Sequence, residues 1–259
     1  MTASEQEILR HSLLGNGPEK IIAIHNFWDN RKEYEPMWPY LDKDAFTYVF
    51  ADVRGYGESV DIIGEYTANE VAGDVIALAD HLEWDRFHLV GHSMTGMVVQ
   101  RAAVDAKDRV KSVVALTPVP ATGLQLDQEF SEFVVGVVSD RKAMYDYFRT
   151  SIPMFSKKYA DFRTNRAWES SITEVKIAYF KMWNNTDFSQ ETKGLDTPML
   201  VVLAEYDTEF NEGVKPFWEG WYPNCEIVMC KNATHHVTED TPVFVASAIE
   251  NFVTKLNER

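Results

Sequence analysis

Residues 87–104 read Phe87-His88-Leu89-Val90, then Gly91-His92-Ser93-Met94-Thr95-Gly96, then Met97-Val98-Val99-Gln100-Arg101-Ala102-Ala103-Val104. The first piece is a short apolar run that predicts a buried strand, and the last has the pattern of a helix. Between them a serine stands in a glycine-flanked turn. A sharp strand-to-helix turn projects a serine oxygen clear of the backbone, and the helix that follows brings free amide N–H groups beside it. The pattern departs from G-x-S-x-G in one place. Thr95 holds the fifth position and the glycine follows at Gly96. Thr95 is expected to fit with some crowding. An ordinary serine at a helix start would share part of this pattern, so the weight rests on what surrounds it.

Similar runs recur on both sides. Lys20 to His25, Phe46 to Asp52, Val110 to Leu116, Met199 to Ala204 and Glu226 to Met229 are short and rich in Val and Ile. Runs apolar on both faces are the mark of buried strands in a parallel sheet. Helical patterns separate them. Thr67 can cap a helix over Ala68 to Leu82, with Glu70 at its third position and Val71, Val75, Leu78 and Leu82 on one face. A last helix from about Val243 to Leu256 turns Val245, Ile249, Phe252 and Val253 inward. Ile8 to Leu14 can add an antiparallel edge. The expected fold is α/β: a doubly wound, mostly parallel sheet with helices on both faces. From about Pro120 to Leu195 no strand is expected. That stretch carries Phe130, Phe133, Met144, Tyr147, Phe148, Met154, Phe155, Trp168 and Trp183 among others, and reads as a helical insertion between two core strands.

The bulk properties narrow the function. With 259 residues and 45% hydrophobic content, a sizeable core is feasible. A net charge of −15 disfavours nucleic acid or an anionic membrane surface as partner. It also weighs against highly anionic substrates such as acyl-CoA, unless local charge overrides it. No apolar run approaches a membrane span, and Met1 to Glu7 does not read as a signal or transit peptide. Cys225 and Cys230 lie about 16 Å apart along one extended stretch, too far for a disulfide within it. Two free thiols point to a reducing cytoplasm. No CxxC, HExxH or clustered His/Cys spacing suggests a metal.

A serine nucleophile needs a base, and the base needs a carboxylate to orient it. In an open parallel sheet ligands gather outside the carboxyl ends of the strands. Asp207 lies just beyond the run ending at Leu203, in Ala204-Glu205-Tyr206-Asp207, and Glu205 is its rival. His235 lies beyond Met229, in Asn232-Ala233-Thr234-His235-His236, and His236 is the competing imidazole. The run ending at Leu116 is followed by Thr117-Pro118-Val119-Pro120 and offers no carboxylate there. The chain order is therefore Ser93, Asp207, His235.

At this point the chain resembles the α/β-hydrolase superfamily over nearly its whole length. Asp52-Val53-Arg54-Gly55-Tyr56-Gly57-Glu58-Ser59 is similar to the family's D-x-R-G-x-G-x-S turn. His25-Asn26-Phe27-Trp28 stands where H-G-x-x is usual. Ala233-Thr234-His235, with Asp240-Thr241-Pro242, resembles A-G-H…E-x-P. Asn26, Thr95 and Thr234 replace glycines of the family, and Asp240 replaces a glutamate. The resemblance implies a sheet of about eight strands, a core of residues 1–119 and 196–259, and a helical cap of residues 120–195.

The resemblance also implies roles. Ser93 is the nucleophile, His235 the general base and Asp207 its orienting acid. The backbone N–H groups of Phe27 and Met94 form the oxyanion hole. Asn26, Trp28 and His236 line the substrate pocket. Asn26 either crowds the site or adds a donor. His25 braces the oxyanion loop, His92 packs in the elbow, and Asp52, Arg54 and Gly57 stabilise their turn. The expected activity is hydrolysis of a carboxylic ester or lactone of a small to medium, partly apolar molecule, with no metal or organic cofactor, by a monomer or homodimer. Carbon–carbon bond hydrolysis, cofactor-free perhydrolysis (haloperoxidase activity), amide hydrolysis and a non-catalytic ligand receptor are the alternatives on the same fold. An aspartate where Ser93 stands would instead suggest a dehalogenase or an epoxide hydrolase.

Overall fold

The computed structural model describes residues 7–151 and 156–258. Met154, Phe155 and residues 1–6 of the N-terminal stretch lie outside the described residues. The described residues build a seven-stranded sheet in the order β1-β3-β2-β4-β5-β6-β7. The strands are β1 (His11–Gly15), β2 (Glu19–Ile24), β3 (Phe46–Ala51), β4 (Phe87–His92), β5 (Val110–Leu116), β6 (Met199–Ala204) and β7 (Cys225–Cys230). β1 runs antiparallel to β3, and every other pairing is parallel. The resemblance led to an expectation of about eight strands. Seven are seen among the described residues, and one of them, β1, precedes β2.

β3, β4 and β6 are buried along their whole length, as their unbroken apolar runs require. β7 closes the sheet at an edge and is only partly covered. Helices α1 (Ala68–His81) and α2 (Met94–Asp105) pack together. Thr67 Oγ1 accepts the Glu70 N–H at 3.2 Å, and Glu70 Oε2 accepts the Tyr66 N–H at 2.7 Å, so the start of α1 is capped reciprocally. Val71, Val75 and Leu78 are buried on its inner face, while Leu82 is only partly covered.

Between β5 and β6 the described chain is helical: α3 (Gln128–Ser139), α4 (Arg141–Ser151), α5 (Lys157–Glu169), α6 (Thr173–Asn185) and the short α7 (Ser189–Thr192). After β6 come α8 (Thr208–Trp221), the single turn α9 (Val237–Asp240) and α10 (Pro242–Asn257). Val245, Ile249, Phe252 and Val253 of α10 are buried.

The strand order positions the site. β3 lies to one side of β2, and the chain then returns to place β4 on the other. Ligands of open α/β sheets bind where the order reverses in this way. The register Ile24↔Gly91 brings the exit of β2 beside the turn that carries Ser93. No helix among the described residues is long and apolar enough to cross a membrane.

Candidate active site

The turn after β4 holds Ser93 at φ 54°, ψ −113°. A non-glycine residue at such positive φ costs on the order of 1–3 kcal/mol and persists only where its surroundings over-determine it. Here they do. Ser93 N–H donates to Leu116 O at 2.8 Å, and its carbonyl accepts the N–H groups of Gly96 and Val119, both at 2.9 Å. Gly91 is obligatory, because a Cβ there would lie 2.5 Å from the Thr95 carbonyl oxygen. A Cβ on Gly96 would lie 2.3 Å from Pro118 Cβ, so the close approach to the exit of β5 falls at Gly96. Thr95 therefore has no need to be glycine. It is fully buried, and its hydroxyl accepts the His92 N–H at 2.9 Å and donates to Ile24 O at 2.8 Å. The expected crowding is instead a set of hydrogen bonds tying the turn to β2.

Three strand exits converge on the Ser93 hydroxyl. His235 Nε2 lies 2.8 Å from Ser93 Oγ, and His235 Nδ1 lies 2.5 Å from Asp207 Oδ2. A carboxylate only accepts, so the ring proton belongs on Nδ1, and Nε2 is left to accept from the serine hydroxyl. Phe210 stands edge-on to the His235 ring at 5.0 Å and limits its tilt. Glu205 is not in the relay. Its carboxylate accepts from Lys231 Nζ and from the Asn232 N–H, both at 2.9 Å, and so holds the exit of β7 against that of β6.

The loop carrying His235 is braced by two departures that compensate each other. Asp240 Oδ2 accepts from Thr234 N–H at 2.7 Å and from the Thr234 hydroxyl at 2.6 Å. A threonine in place of glycine supplies the hydroxyl, and the carboxylate of the shorter acid meets it.

The loop after β2 stands beside the serine turn. Tyr56 OH donates to Phe27 O at 2.6 Å, His25 donates from Nδ1 to Asn26 O at 2.8 Å, and His25 Nε2 accepts the Val53 N–H at 3.1 Å. Asn26 is only 3% exposed, and its side chain is engaged within the protein. Its amide group donates to Glu33 Oε2, and its Oδ1 accepts the Trp28 N–H at 2.9 Å. Asn26 thus neither crowds the site nor offers its amide as an extra donor. The amides of Asn26, Trp28 and Ser93 are engaged within the protein. Met94 opens α2, where the first N–H groups have no partner inside the helix.

The chain matches the α/β-hydrolase fold family over residues 19–242. It belongs to the α/β-hydrolase family. The 2-(acetamidomethylene)succinate hydrolase of Mesorhizobium japonicum is 28% identical over 253 residues, 92% of this chain and 89% of that one. The dihydrolipoyllysine-residue acetyltransferase component of the acetoin cleaving system of Cupriavidus necator is 32% identical over 138 residues. That match spans 52% of this chain and only 35% of the relative. Among solved structures, a bromoperoxidase from Bacillus anthracis superposes with a TM-score of 0.83 at 23% identity, covering 94% of each chain.

In this α/β-hydrolase aromatic side chains gather from the loop after β2 to His235. Trp28 meets Tyr147 and Phe148 edge-on at 4.8 and 5.5 Å, and Phe27 meets Trp183 at 5.6 Å. His236 is buried, 6.2 Å from the Phe148 ring and 6.1 Å from the His235 ring. Burial first, then the nearby Arg163 charge, hold His236 well below the usual histidine range and keep it neutral. Ser93 itself is 9% exposed. Two surface hollows, of about 310 and 510 Å³, lie elsewhere, one between α4 and α5 at Arg141 and Asp161, the other beside Leu9 and Glu58. Among the described residues no cluster of three or more His, Cys, Asp or Glu side chains could hold a metal ion.

Several contributors carry no sequence signal of their own. Glu33 sits in a 3-10 segment (Arg31–Tyr40) and is fully buried, with Oε1 3.1 Å from His92 Nδ1. Tyr56 shows only as the variable position of the glycine-rich turn. Arg163 of α5 joins Asp29, next to Trp28, and Glu239, beyond His236. The Asp52–Arg54–Gly57 turn is structural. Asp52 accepts the N–H groups of Arg31 and Glu58 at 2.7 and 2.9 Å, and Arg54 pairs with Asp74 at 2.6 Å.

Proposed function

We propose that this α/β-hydrolase is a serine hydrolase that cleaves a carboxylic ester or lactone of a small to medium, partly apolar molecule through an acyl-enzyme on Ser93. The supporting observation is the unbroken relay Asp207–His235–Ser93, with contacts of 2.5 and 2.8 Å, on a serine held at positive φ. Ser93 Oγ attacks the carbonyl carbon as its proton passes to His235 Nε2. Asp207 stays ionised and stabilises the imidazolium. Negative charge moves to the former carbonyl oxygen, where the Phe27 and Met94 N–H groups receive it. Each such donor is worth on the order of 3 kcal/mol to the transition state. The tetrahedral adduct collapses, and the leaving alkoxide takes the proton from His235. Water then adds to the acyl-enzyme, giving its proton to His235. The acid departs, and the proton returns to Ser93.

The helices of residues 120–195 are read as a cap on the core of residues 1–119 and 196–259. Support comes from Tyr147 and Phe148 of α4, which pack on Trp28 at the exit of β2. The free Cys225 and Cys230 favour a reducing compartment, the cytoplasm.

The test is incubation with a short-chain chromogenic ester and, separately, with a fluorophosphonate probe. Ester turnover and labelling at Ser93 are expected, and both should vanish in Ser93→Ala. Turnover that persists in that variant defeats the mechanism. Tight ligand binding with no turnover by the wild-type protein favours a receptor on the same fold.

A further inference from the structure

Arg163 is completely buried, yet only one of its guanidinium nitrogens is engaged. Nη1 donates to Asp29 Oδ2 at 2.6 Å and to Glu239 Oε1 at 3.1 Å. Nε and Nη2 have no hydrogen-bond partner. Those two N–H groups lie on one edge of the guanidinium plane, parallel and spaced to meet both oxygens of a carboxylate. Native structures seldom leave buried donors unmet, least of all those of a cation.

The position of this edge matters as much as its chemistry. Asp29 directly follows Trp28, and Glu239 lies in the turn begun by His236. The guanidinium carbon stands 5.6 Å from the Phe148 ring, and that ring packs on Trp28 and His236. Arg163 is thus linked through Phe148 and His236 to the His235 ring, which meets Ser93. His236 Nδ1 and Trp28 Nε1 are also buried without partners. Three polar side chains with unmet groups thus gather around the one Phe148 ring.

From this geometry we infer that the substrate carries a carboxylate, received by the Nε–H and Nη2–H groups of Arg163 while its ester carbonyl lies at Ser93. The inference rests on the serine-hydrolase reading for the second half of that placement. The charge around Arg163 suits an anion. Arg163 and Arg166 face Asp29 and Glu239, and burial biases Glu239 toward its neutral form against the pull of Arg163. Each step in that direction leaves two cations facing one carboxylate. The net charge of −15 opposes an anion at long range, but that field is screened by salt, whereas a desolvated contact is not.

The test compares ester pairs matched in shape and differing in charge: monoethyl succinate against ethyl butanoate, with the monoethyl esters of glutarate and adipate to vary the reach. Wild-type kcat/KM should favour one of the monoesters at least ~30-fold, since a site built to pair a polar group discriminates strongly against its absence. Arg163→Lys keeps a cation for Asp29 and Glu239 but not the two-pronged edge. It should erase the preference, bringing monoester kcat/KM down to that of ethyl butanoate measured with the same variant. Calorimetry on Ser93→Ala should show binding of the preferred monoester, lost in Ser93→Ala/Arg163→Lys. Equal turnover of charged and neutral esters overturns the inference, as does a preference that survives Arg163→Lys. Monoester binding to Ser93→Ala without any ester turnover by the wild type sinks the hydrolase reading and keeps the anion site. Neutral-ester turnover without preference does the reverse. If Arg163→Lys fails to fold, inhibition of the wild type by free succinate, glutarate or adipate, competitive with ethyl butanoate, decides the matter: inhibition supports the inference, and its absence overturns it.

Discussion

His92 donates its Nε2–H to the backbone carbonyl of His235 at 2.8 Å. The other nitrogen of the same ring faces Glu33 Oε1 at 3.1 Å. A carbonyl only accepts, and Glu33 already accepts from Asn26 through its second oxygen. Both ring nitrogens therefore meet acceptors, and His92 and Glu33 form a pair with no solvent exposure. One buried pair thus anchors the backbone of the proposed base on one side and the oxyanion loop on the other.

The pair predicts a pH dependence of stability. Burial pulls the His92 value down, but the Glu33 charge and hydrogen bond outweigh it, and the net shift is upward. A histidine whose folded value is raised stabilises fully below its unfolded value of about 6.5 and loses that contribution as pH rises through the folded value. The melting temperature of the wild type should therefore fall as pH is raised above about 6.5. Glu33→Gln keeps the shape of the contact without the charge and should flatten that fall. Calorimetric scans across this range check it, and an unchanged slope in Glu33→Gln refutes the assignment.

Ser93→Ala removes the proposed nucleophile and should leave the turn intact. Ester kcat should drop by about 10⁴-fold or more, toward the residual rate that binding and oxyanion donors sustain. Steady-state kinetics measures the drop. Far-UV circular dichroism should show no accompanying loss of structure.

Asp207 and Glu205 lie two residues apart and predict opposite outcomes. Asp207→Asn removes the acceptor for His235 Nδ1–H and should cost about 10⁴ in kcat through the wrong ring tautomer. Glu205→Gln weakens a contact to Lys231 at the protein surface and should leave kcat within about twofold, since such exposed pairs contribute about 0–1 kcal/mol. Equal losses would mean that the acid has been misassigned.

Thr234 and Asp240 should behave as a unit. Thr234→Gly and Asp240→Asn each break the same bracing contact, so their destabilisations should overlap rather than add. A denaturant double-mutant cycle should give a coupling energy of roughly 0.5–3 kcal/mol. Strict additivity would show that the two departures arose independently of each other's chemistry.

Sequence reading reached the elbow, the order of the strands along the chain and the three residues now seen hydrogen-bonded, because each follows an apolar run and carries chemistry that few residue types possess. It reached Thr95 but expected crowding, since a side chain's size is visible in a sequence and its hydrogen-bond partners are not. Asn26 was open between crowding and donating, and only Glu33, seven residues on, resolves it. Arg163 was illegible for a different reason. In the sequence it is one basic residue on a helix of mixed character. Its meaning comes from Asp29 and Glu239, 134 and 76 positions away. The expected sheet of about eight strands stands as seven among the described residues.

The aromatic packing of Trp28 against Tyr147 and Phe148 has a kinetic corollary. With Ser93 so nearly sealed, a molecule large enough to bridge the hydroxyl and a distant anion-binding edge cannot arrive while those rings stay in place. On the proposed reading, entry and exit would need α4 to part from the β2 loop, a motion of the microsecond-to-millisecond kind. The throughput of this protein would be governed by how fast its doorway swings, and solvent viscosity would slow it even where bond making is quick.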